Sequence, residues 1–156
     1  MIKLSNEVYD FFKEQTFVIV TTLDRNGSPH DSCKDIIRIS RDGRIYLLDL
    51  YLKGTFNNLK NNPRMCIAQV NEEKFTGYCL KGTGKSVKIK KLTPLIMSAW
   101  QRKITSRITN RIIKNLRKEK TQGPHPESFL PLPEYIIVLD VKEIIDLTPQ
   151  HIKQKI

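Results

Sequence analysis

The sequence predicts a mainly β protein, a six-stranded antiparallel barrel with a short N-terminal helix and a basic helical insertion before the last strand. Three observations carry that expectation. Short runs rich in β-branched and aromatic residues recur along the chain. Tight turns at Asp24-Arg25-Asn26-Gly27 and Asp42-Gly43 fold consecutive runs back on one another, and helical signals are few. Closing such strands into a barrel removes the free edges that invite aggregation. The length of 156 residues fits a single domain over residues 1–156.

Ser5 to Lys13 reads as an amphipathic helix capped by Ser5, with Val8, Phe11 and Phe12 on one face and Glu7 in the first turn. Thr16 to Leu23 is the first strand, and the Asn26-Gly27 pair that follows accepts positive φ. The second strand, Pro29 to Ser40, and the third, Arg44 to Asp49, complete a meander. Thr55 to Asn62 forms about two helical turns, capped by Thr55 and ended by Pro63. Met65 to Val70 and Gly77 to Ile89 are the fourth and fifth strands, joined through Asn71-Glu72-Glu73-Lys74; Tyr135 to Val141 is the last. Gly77, Gly82 and Gly84 serve barrel curvature and not ligand contact.

The formal charge of +11 has one source. Lys85 to Lys120 holds twelve of the 27 bases and one of the 16 acids, so the other 120 residues carry fifteen of each. Within the insertion, about residues 92–120, apolar residues at 92, 95, 96, 99 and 100 share one helical face, whereas Ile104, Ile108, Ile112, Ile113 and Leu116 centre on nearly the opposite one. The phase change predicts two helices, broken near Thr105 or Ser106, with Arg107, Arg111, Lys114, Arg117 and Lys118 as a basic outer face. Gln122 to Pro133, with Gly123 and four prolines, is a rigid return loop.

Several function classes recede. No run approaches the ~18 apolar residues of a membrane span, and the N-terminus lacks the apolar core of a signal peptide, so a cytoplasmic location is expected. Cys33, Cys66 and Cys79 are odd in number, with no C-x-x-C pair, and suit a reducing compartment. His30, His125 and His151 lie far apart, so no metal is expected. Cys33 has no positioned histidine base, and no catalytic residue is assigned. The start of the Thr55 helix, with Lys53 and Gly54 before it, combines free backbone N–H groups with the positive end of a helix dipole, a combination that holds phosphate; a capped connector with an exposed lysine is the equal alternative.

Three motifs in order carry a resemblance: Ser28-Pro29-His30-Asp31-Ser32-Cys33-Lys34-Asp35 on the second strand, Tyr46-Leu47-Leu48-Asp49-Leu50-Tyr51-Leu52-Lys53-Gly54-Thr55-Phe56-Asn57-Asn58-Leu59 with Asn62-Pro63-Arg64 after it, and Gly77-Tyr78-Cys79-Leu80-Lys81-Gly82-Thr83-Gly84. In this pattern the chain resembles the pyridoxamine 5'-phosphate oxidase-like split β-barrels that bind FMN. The resemblance implies that Asp31, Ser32, Cys33 and Lys34 line the flavin ring and ribityl chain, and that Asp49, Leu50 and Tyr51 approach the ring edge. It implies that Lys53, Gly54 and Thr55 take the phosphate; whether Lys53 or the Gly54 and Thr55 N–H groups make the contact stays open. It further implies a homodimer with FMN at the subunit interface and electron or hydride transfer between a donor and an acceptor that the sequence does not name.

Trp100-Gln101 followed by Arg107 and Arg111 is similar to the substrate-binding end of true pyridoxamine phosphate oxidases. The spacing is one residue too long and the segment precedes the last strand, so the similarity is read as coincidence and that substrate is disfavoured. Two other readings stand beside the oxidoreductase. One is a non-enzymatic FMN carrier or electron-transfer module, supported by the lack of a general acid or base. The other is an anion-binding module that meets nucleic acid or acidic membrane through residues 85–120; it is less favoured, because that segment has one aromatic residue, Trp100, and no nucleic-acid motif.

Overall fold

The computed structural model describes residues 1–89, 93–117 and 129–153, and gives no side-chain placement for residues 93 and 114–117. Its frame is a closed antiparallel barrel of six strands: β1 (Phe17–Leu23), β2 (Pro29–Ile39), β3 (Arg44–Asp49), β4 (Arg64–Asn71), β5 (Thr76–Lys88) and β6 (Tyr135–Asp146). Around the barrel the order is β1-β2-β3-β6-β5-β4, with β4 closing onto β1. The mainly β class and the barrel expected from the sequence are both present.

Short turns fix the meander. Gly27 (φ 81°) and Gly43 (φ 88°) supply the left-handed positions in the β1–β2 and β2–β3 turns, while Asn26 stays out of that region. At Gly43 a Cβ would sit 2.1 Å from the Ile2 carbonyl oxygen, so the N-terminal segment also needs glycine there. Strand β6 runs five residues beyond the expected Val141, because Lys142 to Asp146 pairs with the start of β5 down to Tyr78↔Asp146 and packs Ile144 against the core. The register shifts between Lys81 and Gly82, where a Cβ on Gly82 would meet the Asp140 carbonyl oxygen at 2.1 Å. That contact explains Gly82 by barrel geometry alone.

Val18, Val20, Ile45, Leu47, Ile67, Leu80 and Leu139 fill the barrel. Helix α1 (Asn6–Glu14), N-capped by Ser5 through a hydrogen bond from the Val8 N–H, plugs one end with Val8 and Phe12. Helix α2 (Gly54–Asn61) ends before Pro63 as expected, but Lys53, not Thr55, is its N-cap residue and makes no side-chain capping bond.

The basic insertion is one helix, α3 (Thr93–Arg117), without the break expected near Thr105 or Ser106. Its first half buries Ile96 and Trp100 against Leu48, Ile136 and Val138 on the outer side of the barrel. One step further along the same stripe come Lys103 and Arg107, whose half-buried stems continue the contact while their charged ends find polar partners on the barrel. The phase of burial therefore never changes, and Ile113 stays on the open side, 41% exposed. Arg107 does not belong to an outer basic face; Lys118 of that face, and residues 122–128 of the expected return loop, lie outside the described residues. A final turn, α4 (Gln150–Lys153), closes the described chain.

Candidate functional site

Strand alternation divides the expected β2 site residues between two faces. The register Val18↔Lys34, Val20↔Ser32 and Thr22↔His30 sets Lys34, Ser32 and His30 on the face of β1's buried residues. Asp31, Cys33 and Asp35 stand on the other face with Thr21, Ile19 and Phe17. Four consecutive strand residues cannot all direct side chains into one site, so the chain builds two neighbouring regions from them.

The first region is the N-terminus of α2. Tyr51, Leu52 and Lys53 lead into it, and Leu52 takes a left-handed backbone (φ 48°), a conformation that costs a non-glycine residue roughly 1–2 kcal/mol and turns the chain back toward β2. The buried Thr55 hydroxyl lies 2.8 Å from the Ser32 hydroxyl. Asn58, one turn on, donates to the buried Thr22 hydroxyl at 3.0 Å and locks α2 to β1. The His30 ring lies over Gly54 so closely that a Cβ there would meet Nε2 at 2.5 Å. First-turn N–H groups without a side-chain cap, two hydroxyls and an imidazole make a set of hydrogen-bond donors suited to phosphate. Lys53 is exposed at the N-cap.

Between the regions lies a buried ion pair. Lys34 Nζ is 2.6 Å from Asp49 Oδ1, with 11% of the lysine side chain and none of the aspartate side chain exposed. The other carboxylate oxygen, Oδ2, is buried without a hydrogen-bond partner among the described residues. The pair is neutral as a unit, so Lys34 offers a ligand its remaining N–H groups and no net charge.

The second region is a cavity of about 890 Å³ between β2, the end of β3, the α1–β1 junction and α3. Cys33, Lys34, Leu50 and Tyr51 line it, so four of the ten expected site residues meet there, and Tyr51 is exposed. Opposite them stand Lys103, Ser106, Arg107, Asn110 and Arg111, one face of α3. Arg107 forms a short ion pair with Asp35 on β2, and Lys103 Nζ donates to the Thr16 carbonyl at 3.3 Å. Burial pulls the Lys103 ammonium below its ordinary pKa; the Asp35 carboxylate opposes that shift, and the Arg107 charge adds to it.

Residues 4–132 match the family described as Pyridoxamine 5'-phosphate oxidase. The chain belongs to this family. Among solved structures, HupZ from Group A Streptococcus aligns over 93% of this chain and 94% of its own, at 18% identity and a TM-score of 0.63. A pyridoxamine 5'-phosphate oxidase-related, FMN-binding protein from Nostoc punctiforme covers 84% of this chain and 74% of its own (14% identity, TM-score 0.56). An F420 reductase covers 90% and 98% (14% identity, TM-score 0.54). At these identities the likeness establishes the split-barrel fold of the oxidase family and nothing finer. No curated protein matches the chain.

Sequence reasoning missed His30 as a neighbour of Gly54, although its place two residues before Ser32 on the same strand face was available. It set Arg107 and Arg111 aside as a coincidental likeness to a substrate-binding end, and did not single out Asp35 or Lys103 as site residues; the i, i+4 spacing of Lys103, Arg107 and Arg111 is a signal that a solvated basic face shows equally.

Proposed function

We propose that the protein is an FMN-binding flavoprotein that works as an oxidoreductase, a single domain over residues 1–156 acting as a cytoplasmic homodimer. The observation that carries this reading is the pairing of the uncapped α2 N-terminus, with the Ser32 and Thr55 hydroxyls 2.8 Å apart, and the adjoining cavity lined by Cys33, Lys34, Leu50 and Tyr51. Gly54, Thr55 and Ser32 hold the phosphate, with Lys53 at the margin of that region, while Asp31 on the other strand face accepts a hydrogen bond from the Thr21 hydroxyl at 2.5 Å; Leu50 and Tyr51 border the ring, and Lys34 and Asp49 present polar groups beside it. Bound FMN supplies reversible electron or hydride transfer, and these residues bind it, orient it and shield it from water. The FMN-binding relative from Nostoc punctiforme supports the choice of cofactor. The exposed Phe17, Ile19 and Val70 on the outer side of β1 and β4 support a self-associating face. The three free cysteines support a reducing compartment.

Titrating purified protein with FMN while following flavin fluorescence tests the site. Saturable binding at one FMN per chain, weakened in Ser32→Ala and Thr55→Val, is expected. No binding of FMN, FAD or a deazaflavin would overturn the reading. Turnover with NADH or NADPH separates the oxidoreductase from a flavin carrier. The reading as a nucleic-acid or membrane-binding module is weakened by α3, whose Lys103, Arg107 and Arg111 border the cavity.

A further inference from the structure

We infer that a second, smaller cavity, on the outer side of the barrel beside the first half of α3, binds a small apolar molecule that ends in one carboxylate. Its volume is about 340 Å³, at the low end of the range for small-molecule sites. Ile37, Tyr46, Ile96 and Ala99 form its inner lining, and the exposed Arg38, Leu95 and Arg102 stand at its rim. None of these residues lines the larger cavity, so the site is separate from the flavin site proposed above. A break in strand pairing builds it. The β2–β3 register skips a residue between Ile36 and Arg38, which leaves Ile37 without a partner on β3. Strict alternation would send Ile37 and Arg38 to opposite faces; the extra residue brings both to this cavity. A guanidinium therefore stands at the edge of an apolar surface, with Arg38 Cζ 5.8 Å from the centre of the Tyr46 ring. Helix α3 supplies the other rim, where Leu95, Ala99 and Arg102 follow at i, i+4 and i+7 on one helical face.

Two features select the ligand. The apolar lining is left open to water: Leu95 is 73% exposed, and Ile37 and Tyr46 are only half-buried. An apolar body entering the cavity removes that surface from solvent. The charge, in turn, is one-sided. No acid lines the cavity; Asp140 on β6 is already bound to Arg44 at 2.8 Å, and Asp35 to Arg107. Neither Arg38 nor Arg102 has an ion-pair partner among the described residues. Isolated surface arginines are ordinarily solvated and idle. Here two of them flank one apolar recess, and the guanidinium fork matches the two oxygens of a carboxylate. A polyanion would leave the apolar lining unused, and a plain hydrocarbon would leave the arginines unused. Acyl and aryl carboxylates share the required chemistry, and the test distinguishes them.

The experiment is calorimetric titration of the protein, with and without FMN, using octanoate and hydrocinnamate as probes and their primary amides as neutral counterparts. Trp100, the single tryptophan, belongs to the same cluster as Ile37, Tyr46 and Ile96, so its emission reports occupancy. One carboxylate is expected to bind saturably at one per chain and to shift that emission, with its amide at least about tenfold weaker. Preference between the two probes identifies acyl or aryl chemistry. Arg38→Gln/Arg102→Gln should weaken binding at least about tenfold while FMN affinity stays unchanged. Ala99→Leu, which fills the recess and keeps both charges, should weaken it as well. If the double variant fails to fold, Arg102→Gln alone, at an exposed position, carries the test. Arg25→Gln removes the same charge from the exposed β1–β2 turn and should leave binding unaltered. Absence of saturable binding by either carboxylate overturns the inference, as does equal binding of the amide or equal weakening by Arg25→Gln. Displacement of the probe by FMN would place it in the flavin site and overturns the inference too. So does a smaller oligomer for Ala99→Leu in sedimentation, which would assign the recess to a second copy of the chain. None of these outcomes decides the flavin reading, which stands or falls on the FMN titration.

Discussion

Replacing Lys34 with methionine tests the buried ion pair that joins the two halves of the site. Lys34 and Asp49 meet at 2.6 Å, the carboxylate is wholly buried, and its second oxygen already lacks a partner. Removing the ammonium strands a carboxylate in a low-dielectric site, which typically costs about 3–5 kcal/mol. For a chain of 156 residues, each kcal/mol moves the melting temperature by about 2–4 °C, so Lys34→Met should melt about 6–20 °C below the parent protein. Removing both charges, as Lys34→Met/Asp49→Val, should recover most of that loss, because the desolvation of both ions is removed together. Calorimetry at pH 7, with urea melts for free energies, measures both. A Lys34→Met variant within about 1 kcal/mol of the parent would refute the reasoning, since it would mean that water already solvates Asp49. The double variant also reports on function: if α2 holds the phosphate, loss of the polar groups beside the ring weakens riboflavin and FMN alike, whereas a loss confined to FMN would assign the phosphate contact to Lys34.

Three further outcomes are expected. Gly82→Ala places a Cβ 2.1 Å from the Asp140 carbonyl oxygen, a backbone atom that cannot swing away, and should destabilise by about 3 kcal/mol in a urea melt, at the upper end of overpacking costs. Arg107→Gln leaves Asp35 unpaired, at a cost of about 1.5–3 kcal/mol, and should loosen α3; the single tryptophan, Trp100, buried under that helix, then shifts its emission to the red and quenches more readily with acrylamide. Burial and the neighbouring Cys66 push the Cys79 thiol from its ordinary 9.0 up to about 11, so a thiol reagent at pH 8 should label the exposed Cys33 well before Cys79. The stabilisation tied to that protonated thiol is complete below pH 9 and is lost as pH rises through 11, whereas Lys103, lowered by burial, favours the fold as it deprotonates. Comparing alkaline melts of Cys79→Ser and the parent isolates the cysteine's share.

The barrel was legible because its determinants are local. Asp24 to Gly27 and Asp42-Gly43 specify reversals within a few residues, and alternation along β1 marks Val18, Val20 and Thr22 as one buried face. Where the determinant is a cross-strand partner, the sequence was silent. The second half of β6, Lys-Glu-Ile-Ile-Asp, sets two adjacent isoleucines among three charged residues, so it carries no apolar alternation that would announce a strand until the start of β5 pairs with it. The site divides in the same way. The α2 terminus could be found from Lys53-Gly54-Thr55, a contiguous motif, but Asp49 became the partner of Lys34 only when β2 and β3 were laid together around the barrel.

Helix α3 shows why the charge pattern misled. Expecting every isoleucine to seek the interior forces a break, since Ile96 and Ile113 cannot both face one core on a straight helix. That premise weighs the burial of an isoleucine, up to roughly 3 kcal/mol, and ignores the electrostatic consequence of turning the helix. Turning Ile113 inward would carry Arg107 away from Asp35, an acid on β2 that is 89% removed from solvent by this contact and its surroundings. An uncompensated buried carboxylate costs about as much as one exposed isoleucine, and the continuous helix keeps Trp100 and Ile96 seated as well. The straight helix therefore wins by satisfying one acid and two anchors together. The same choice makes the cavity wall basic, because the stripe that continues from Ile96 and Trp100 holds Lys103, Arg107 and Arg111 where the phase expected of an apolar face runs on.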